Sequence, residues 1–277
     1  MKIYAFADES SAVFDEQIDA MKRNGLNGLE IRGVDGVNVS EITLEKAQEL
    51  RQKMDDAGLE TWSIGSPIGK IDLVTGDHEE HKRKFCHLLE VAKILGAKNI
   101  RLFSYFVPAD VDRTQYKEQV IEKLRELVKL AEGSGIDLCH ENEKGIYGES
   151  ADGCLEIHQA IPELKGVFDP ANFVQCGQDT LRAWEMLHPY IKYMHIKDAL
   201  SDGSVVPAGE GEGHVPEILE KYRAQGGNAL TMEPHLAVFD GLKDLEQEGN
   251  TSHIGKFVYN SNEEAFDAAC DALKRFL

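Results

Sequence analysis

The feature that most constrains this chain is a rhythm. A short run of β-branched and aromatic residues is followed by a longer amphipathic one, and the pair repeats from end to end. Eight runs read as strands: Lys2–Ala7, Gly28–Arg32, Glu60–Ile64, Asn99–Phe103, Ile136–His140, Gly166–Phe168, Tyr193–Ile196 and Ala229–Met232. Helical spacing predicts helices near Phe14–Asn24, Leu44–Ala57, Asp77–Leu95, Arg113–Glu132, Ala151–Ala160, Thr180–Leu187, Val215–Ala224 and Asn262–Phe276. Glycine-bearing exits (Asn24-Gly25, Ala57-Gly58, Leu95-Gly96, Gly133-Ser134-Gly135) lead from helix directly into strand. Such short connections belong to parallel strands joined by helices. Eight strand–helix pairs predict an α/β fold, a single-domain (β/α)8 TIM barrel over residues 1–277. A doubly wound open sheet is the alternative. Its Gly-rich dinucleotide turn is missing, because the first strand runs into Asp8-Glu9-Ser10-Ser11. Two long loops, 199–214 and 234–261, follow late strands and are expected on the C-terminal face as lid or subunit-contact material.

Charge narrows the partners. The formal net charge is −19 and no Lys/Arg run stands out, so neither nucleic acid nor a membrane surface is expected as a partner. No apolar stretch approaches the ~20 residues of a membrane span. The opening Met1–Glu9 has a short apolar run before two acids, which reads as a first strand rather than a signal peptide. Cys86, Cys139, Cys154, Cys176 and Cys270 are odd in number and form no CxxC pair. A disulfide framework or structural zinc site is therefore not expected, and a reducing cytoplasm fits best.

Function in such a barrel sits where strands end at the C-terminal face. Those positions hold Glu30 and Arg32 after the second strand and Glu141, with Glu143 nearby, after the fifth. Asp169 follows the sixth, His195 lies in the seventh with Lys197-Asp198 after it, and Glu233 follows the eighth with His235 beyond. Singly, each has a plain structural explanation: Asp169 before Pro170 is a natural helix cap, and His195 between Met194 and Ile196 suits a core. Together, four consecutive strands each bring a ligand type to one side of the rim. Three carboxylates and an imidazole suit Mn²⁺, Mg²⁺, Co²⁺ or Zn²⁺.

Several segments carry a resemblance. Gly28-Leu29-Glu30-Ile31-Arg32, His140-Glu141-Asn142, Val167-Phe168-Asp169-Pro170-Ala171-Asn172, His195-Ile196-Lys197-Asp198, Pro207-Ala208-Gly209-Glu210-Gly211 and Met232-Glu233-Pro234 span nearly the whole chain. In that order they resemble the sugar phosphate isomerase/epimerase superfamily, the xylose isomerase-like barrels. The resemblance implies carbohydrate metabolism and one divalent metal ion held by Glu141, Asp169, His195 and Glu233. It implies a small-molecule sugar or polyol substrate, and homodimers are common among such relatives. Two positions depart from the pattern of ketose 3-epimerases: Asn172 stands where a substrate-contacting His is usual, and Ser201 where an Arg is frequent. DNA-repair endonucleases of the superfamily use additional histidines that this chain lacks.

The chemistry implied is proton abstraction beside a carbonyl, through a metal-stabilised enediolate. Glu141 and Glu233 are the expected catalytic pair, each ligating through one oxygen and reaching substrate with the other. Arg32, Lys144, Asn172, Lys197 and His235 are candidate substrate-binding residues. Tyr147 is a further candidate, and Glu210 is one for a supporting hydrogen bond. Trp62 and Phe6 are aromatic enough to stack on a sugar, though core packing suits both better. Isomerisation or epimerisation leads. A metal-dependent lyase or dehydratase of keto-inositols or keto-glycosides is the alternative, and a non-catalytic sugar-binding barrel a further one.

Overall fold

Eight parallel strands close on themselves: β1 (Lys2–Ala5), β2 (Gly28–Ile31), β3 (Glu60–Gly65), β4 (Asn99–Leu102), β5 (Asp137–Glu141), β6 (Lys165–Phe168), β7 (Ile191–Ile196) and β8 (Ala229–Met232). This computed structural model describes residues 1–108, 111–239, 242 and 253–277. Closure is made by β1, which pairs with β8 (Ala5 opposite Met232) on one side and β2 (Tyr4 opposite Gly28) on the other. An open sheet is thereby excluded.

The outer layer follows the predicted rhythm. It holds α1 (Phe14–Asn24), α2 (Leu44–Ala57), α3 (His78–Leu95), α4 (Lys117–Ala131), α5 (Ala151–Ala160), α6 (Pro170–Gln175), α7 (Thr180–Leu187), α8 (Val215–Ala224) and α9 (Asn262–Lys274). The Thr43 and Asp77 side chains cap α2 and α3 by accepting from Lys46 N and Glu80 N. Gly25, Gly58 and Gly96 end α1, α2 and α3 at φ 67°, 69° and 71°, a left-handed turn that a side chain would strain.

Most strand and helix ends differ from the sequence reading by one or two residues, and four larger differences stand out. The first strand stops at Ala5, and Ala7–Glu9 forms a 3-10 turn that buries Asp8 and Glu9. The predicted helix from Arg113 starts as a 3-10 turn, Arg113–Tyr116, before α4. Helix α6 was not foreseen; Asp169 Oδ1 caps it by accepting from Asn172 N, and Pro170 opens it. Loop 199–214 begins with a two-residue hairpin, Asp198–Ala199 against Val205–Val206. Of loop 234–261, residues 240, 241 and 243–252 lie outside the described ones.

The barrel interior is filled in layers. Tyr4 stacks on Trp62 at 5.0 Å between ring centres, and Trp62 meets Tyr193 edge-on at 5.7 Å. Cys139, Val167 and Ala229 complete this layer, and Trp62 packs against it, partly buried. All five cysteines are unpaired. Among the described residues, no helix is long and apolar enough to cross a membrane.

Two buried histidines, His81 of α3 and His158 of α5, are held neutral. His81 Nε2 accepts from Gly69 N at 2.7 Å, and His158 Nδ1 pairs with the Leu164 carbonyl at 3.1 Å. Burial pushes both pKa values down to about 4. The unfolded chain then binds more protons between pH 6.5 and 4, so stability is full above that window and falls as pH drops through it. Urea titrations across this range are expected to show a loss on the order of 3 kcal/mol per histidine, with the slope reduced in His81→Gln.

Candidate metal centre

Above the aromatic layer, four side chains converge. Glu141 ends β5, Asp169 follows β6, His195 lies in β7 and Glu233 follows β8. One donor atom from each lies within 4.8 Å of the others, and all four residues are buried. Because β5 to β8 are consecutive around the barrel, Glu141 and Glu233 flank Asp169 and His195.

His195 organises the centre. Its Nδ1 lies 2.9 Å from Glu141 Oε1 and 3.4 Å from Glu233 Oε2. Its Nε2 points the other way, 3.2 Å from Glu30 Oε2. Glu30 is fixed in turn by Tyr193 OH at 2.8 Å and Ser63 Oγ at 3.2 Å, both donating to Oε1. Phe6 packs edge-on against the imidazole at 5.2 Å. Burial opposes a charge on His195, but Glu141 and Glu30 outweigh it and raise its pKa well above the ordinary value. A carboxylate behind the imidazole is the arrangement that sets the tautomer of a ligating histidine.

The remaining oxygens face cations. Glu141 Oε2 lies 3.1 Å from Arg101 Nη1, and Glu233 Oε1 lies 2.9 Å from Arg32 Nη1. Lys197 Nζ sits between Asp169 Oδ2 at 3.0 Å and Glu233 Oε2 at 3.1 Å. Burial disfavours the Lys197 ammonium, yet Asp169 and Glu233 raise its pKa far above normal. Burial pushes Asp169 up to about 7, with Lys197 opposing and Glu233 and Glu141 adding.

The donor set fits a divalent ion. Glu141 Oε2 and Asp169 Oδ2 are buried without a hydrogen-bond partner, because the Arg101 and Lys197 nitrogens, though close, lie off the bonding direction. Asp8, Glu9, Glu30, Glu141, Asp169 and Glu233 are all buried, and among the described residues the buried permanent cations are Arg32, Arg101 and Lys197. Burial pushes Asp169 up to about 7 and Glu9 up to about 8, so protons answer part of this buried charge. The carboxylates that stay ionised call for positive charge, which His195 supplies as an imidazolium or an ion supplies with His195 neutral.

The other sequence candidates separate. Arg32 pairs with Asp8 at 2.8 Å, Glu9 at 3.1 Å and Glu233 at 2.9 Å. Phe6 and Phe239 cover it, the guanidinium carbon lying 4.3 and 4.8 Å from their ring centres. Asn172 Nδ2 donates to the Asn142 carbonyl at 2.9 Å and, more weakly, to Glu141 Oε1 at 3.4 Å, pinning β5 to α6. His235 stands 3.6 Å from Glu233 Oε1. The charge of Lys144 helps to hold His235 neutral, behind burial and Lys197. Tyr147 OH donates to Glu156, away from the centre. Glu210 does not support the site: it is exposed and 3.5 Å from Arg275. The glycine run around it instead wraps Asp198, whose carboxylate accepts from Gly209 N, Gly211 N and Gly213 N at 2.9, 3.1 and 2.9 Å.

Sequence reasoning gave no role to Asp8, Glu9 or Arg101. The Asp8-Glu9 pair directly after a strand was a usable signal. Arg101 was not, since it lies within a predicted strand and its partner Glu141 is forty positions away. Lys70, which pairs with Glu143 at 3.0 Å, comes from the loop after β3 and carried no signal.

The family model of the xylose isomerase-like TIM barrel matches residues 18–250. The chain belongs to this family. Among solved structures, this xylose isomerase-like barrel resembles the probable 3-DHS dehydratase AsbF from Bacillus anthracis (TM-score 0.75, 17% identity, 99% of each chain). It resembles D-psicose 3-epimerase from Clostridium cellulolyticum H10, solved with D-tagatose (TM-score 0.74, 17% identity, 100% of this chain and 98% of that one). A third is the IOLI protein with a bound zinc atom (TM-score 0.75, 16% identity, 100% and 98%). At these identities the likeness is one of fold. No curated protein matches the sequence.

Arg32 is the test of this electrostatic arrangement. Arg32→Met keeps an apolar stem but leaves Asp8, Glu9 and Glu233 without their shared cation. Chemical denaturation is expected to show a loss of about 3–5 kcal/mol. Arg275→Met, at the exposed partner of Glu210, is expected to cost under about 1 kcal/mol.

Proposed function

We propose that this xylose isomerase-like barrel is a divalent-metal-dependent sugar isomerase or epimerase that moves a proton next to a carbonyl. One observation carries the reading. Glu141 and Glu233 enter from β5 and β8 on either side of the cluster, and each turns one oxygen to His195 and the other to an arginine. Two flanking carboxylates of this kind can take a proton from one side of a carbon and return one on the other.

Glu141, Asp169, His195 and Glu233 would hold the ion, which Mn²⁺, Co²⁺, Zn²⁺ or Mg²⁺ would suit. When bound, it supplies Lewis-acid polarisation of a carbonyl oxygen. Glu141 and Glu233 are the proposed base and acid, one entering from each side of the cluster. Lys197 is charged and stands beside Glu233, placed to donate to an oxygen that gains negative charge. Lys144 and His235, on the same rim, are proposed to contact substrate hydroxyls.

The substrate proposed is neutral: a sugar, a keto-sugar or an inositol derivative. Arg32, Arg101, Lys70 and Lys197 are each committed to carboxylates, so none is spare for a phosphate. A lyase or dehydratase is the second reading. It is favoured by the charged Lys197, suited to assist a leaving hydroxyl, and by Asn172 and Ser201 in place of the epimerase-type His and Arg. The dehydratase-named structural neighbour agrees with it at the level of fold.

Proton exchange tests both readings. Mn²⁺-loaded protein in D₂O with ketoses, keto-inositols and 3-keto-sugars is expected to exchange an α C–H, followed by NMR. An accompanying epimer or isomer supports the first reading, and loss of water the second. Glu141→Gln and Glu233→Gln are each expected to lower the exchange rate about 10²–10⁴-fold. No exchange across the panel by metal-loaded protein would overturn both. Glu30→Gln, which weakens the carboxylate behind His195, is expected to reduce metal affinity about 10–100-fold in calorimetric titration, with its melting temperature little changed.

A further inference from the structure

We infer that Glu9, Glu233 and His235 form a second divalent-cation site, joined to the first through Glu233. The inference builds on the metal reading of the four-residue centre, because the two sites share that glutamate.

The site follows from barrel closure. β1 and β8 are paired neighbours, so the segments beyond them run side by side. The turn after β1 delivers Glu9, and the segment after β8 delivers Glu233 and, two residues on, His235. One donor atom from each of the three lies within 4.8 Å of the others, and all three residues are buried.

His235 points to a ligand. It is 5% exposed, and neither ring nitrogen has a hydrogen-bond partner. Buried imidazoles are ordinarily satisfied on at least one nitrogen. Its Nε2 is aimed between two carboxylates, 3.5 Å from Glu9 Oε1 and 3.6 Å from Glu233 Oε1. These separations are too long for good hydrogen bonds. They match the roughly 3.4 Å between donors that each lie about 2.1 Å from a tetrahedral ion. The backbone is committed to this pose: His235 has φ 47°, and its N–H donates to Glu9 Oε2 at 2.6 Å. A left-handed turn at a residue other than glycine is retained where surrounding structure enforces it.

Arg32 reaches the same two oxygens, Glu9 Oε1 at 3.1 Å and Glu233 Oε1 at 2.9 Å. A carboxylate oxygen has two lone pairs, so it can accept from Arg32 and bind an ion together. In that role Arg32 would hold the two ligand carboxylates in position. Phe239 covers the site, its ring centre 5.5 Å from that of His235. Glu233 then bridges: Oε2 faces His195 and Lys197, and Oε1 faces Glu9 and His235. Mixed nitrogen and oxygen donors suit Mn²⁺, Co²⁺ or Zn²⁺.

The test is stoichiometry. Apo full-length protein is titrated with Mn²⁺ and with Zn²⁺ by calorimetry, and bound metal is measured after gel filtration. Two equivalents are expected for the wild type, and one for His235→Gln and Glu9→Gln. In the fully Mn²⁺-loaded wild type, EPR is expected to show the exchange broadening of a carboxylate-bridged pair, a signature that needs no variant. One equivalent in the wild type with an uncoupled Mn²⁺ spectrum would overturn the second site and leave the first standing. No bound metal in folded wild-type protein would overturn both.

Discussion

Everything at the C-terminal mouth of this barrel depends on how buried negative charge is compensated. Closing the sheet forces acids from six places into one small volume. No single cation answers them. Arg32 serves Asp8, Glu9 and Glu233, Arg101 serves Glu141 and the Glu30 side, and Lys197 is divided between Asp169 and Glu233. Each cation touches a residue of the four-member cluster, so the cluster's geometry and its charge state are not separable. Carboxylates held this way are fixed in position by their ion pairs, the kind of preorganisation that the proposed chemistry at a developing charge would use.

The layering beneath explains why the cluster is so well placed. Tyr4, Trp62 and Tyr193 fill the barrel as stacked and edge-on rings, and Tyr193 reaches upward with its hydroxyl to Glu30. Glu30 then grips His195. Core packing and the four-residue cluster are thus one continuous set of contacts, running from the apolar interior to the rim along β7 and β2.

Much of this was legible in the sequence, for a physical reason. Period and glycine exits report strand order, and strand order alone brings Glu141, Asp169, His195 and Glu233 to the same arc. Partners across the barrel carry no such signal. Arg101 reads as an ordinary strand residue until β4 and β5 lie side by side. Glu30 reads as a rim acid, whereas β2 holds it inside, under His195. Glu210 shows the opposite error: an acid in a conspicuous glycine run drew attention, while the glycines themselves mattered, because their N–H groups bind Asp198. Asp169 answered to two readings at once, since Oδ1 caps α6 and Oδ2 faces the cluster.

That Asp198 cradle has a wider meaning. The residue immediately before Asp198 is Lys197, so the side chain that aims into the centre and the one that anchors the loop share a peptide bond. A Cβ at Gly211 or Gly213 would fall 2.3 or 2.6 Å from Asp198 Oδ1, which leaves no room for ordinary residues in the turn. Loop and lysine therefore form one module. A foreign loop grafted after β7 to change substrate preference would have to bring its own ring of N–H donors, or the engineer would lose the lysine along with the loop.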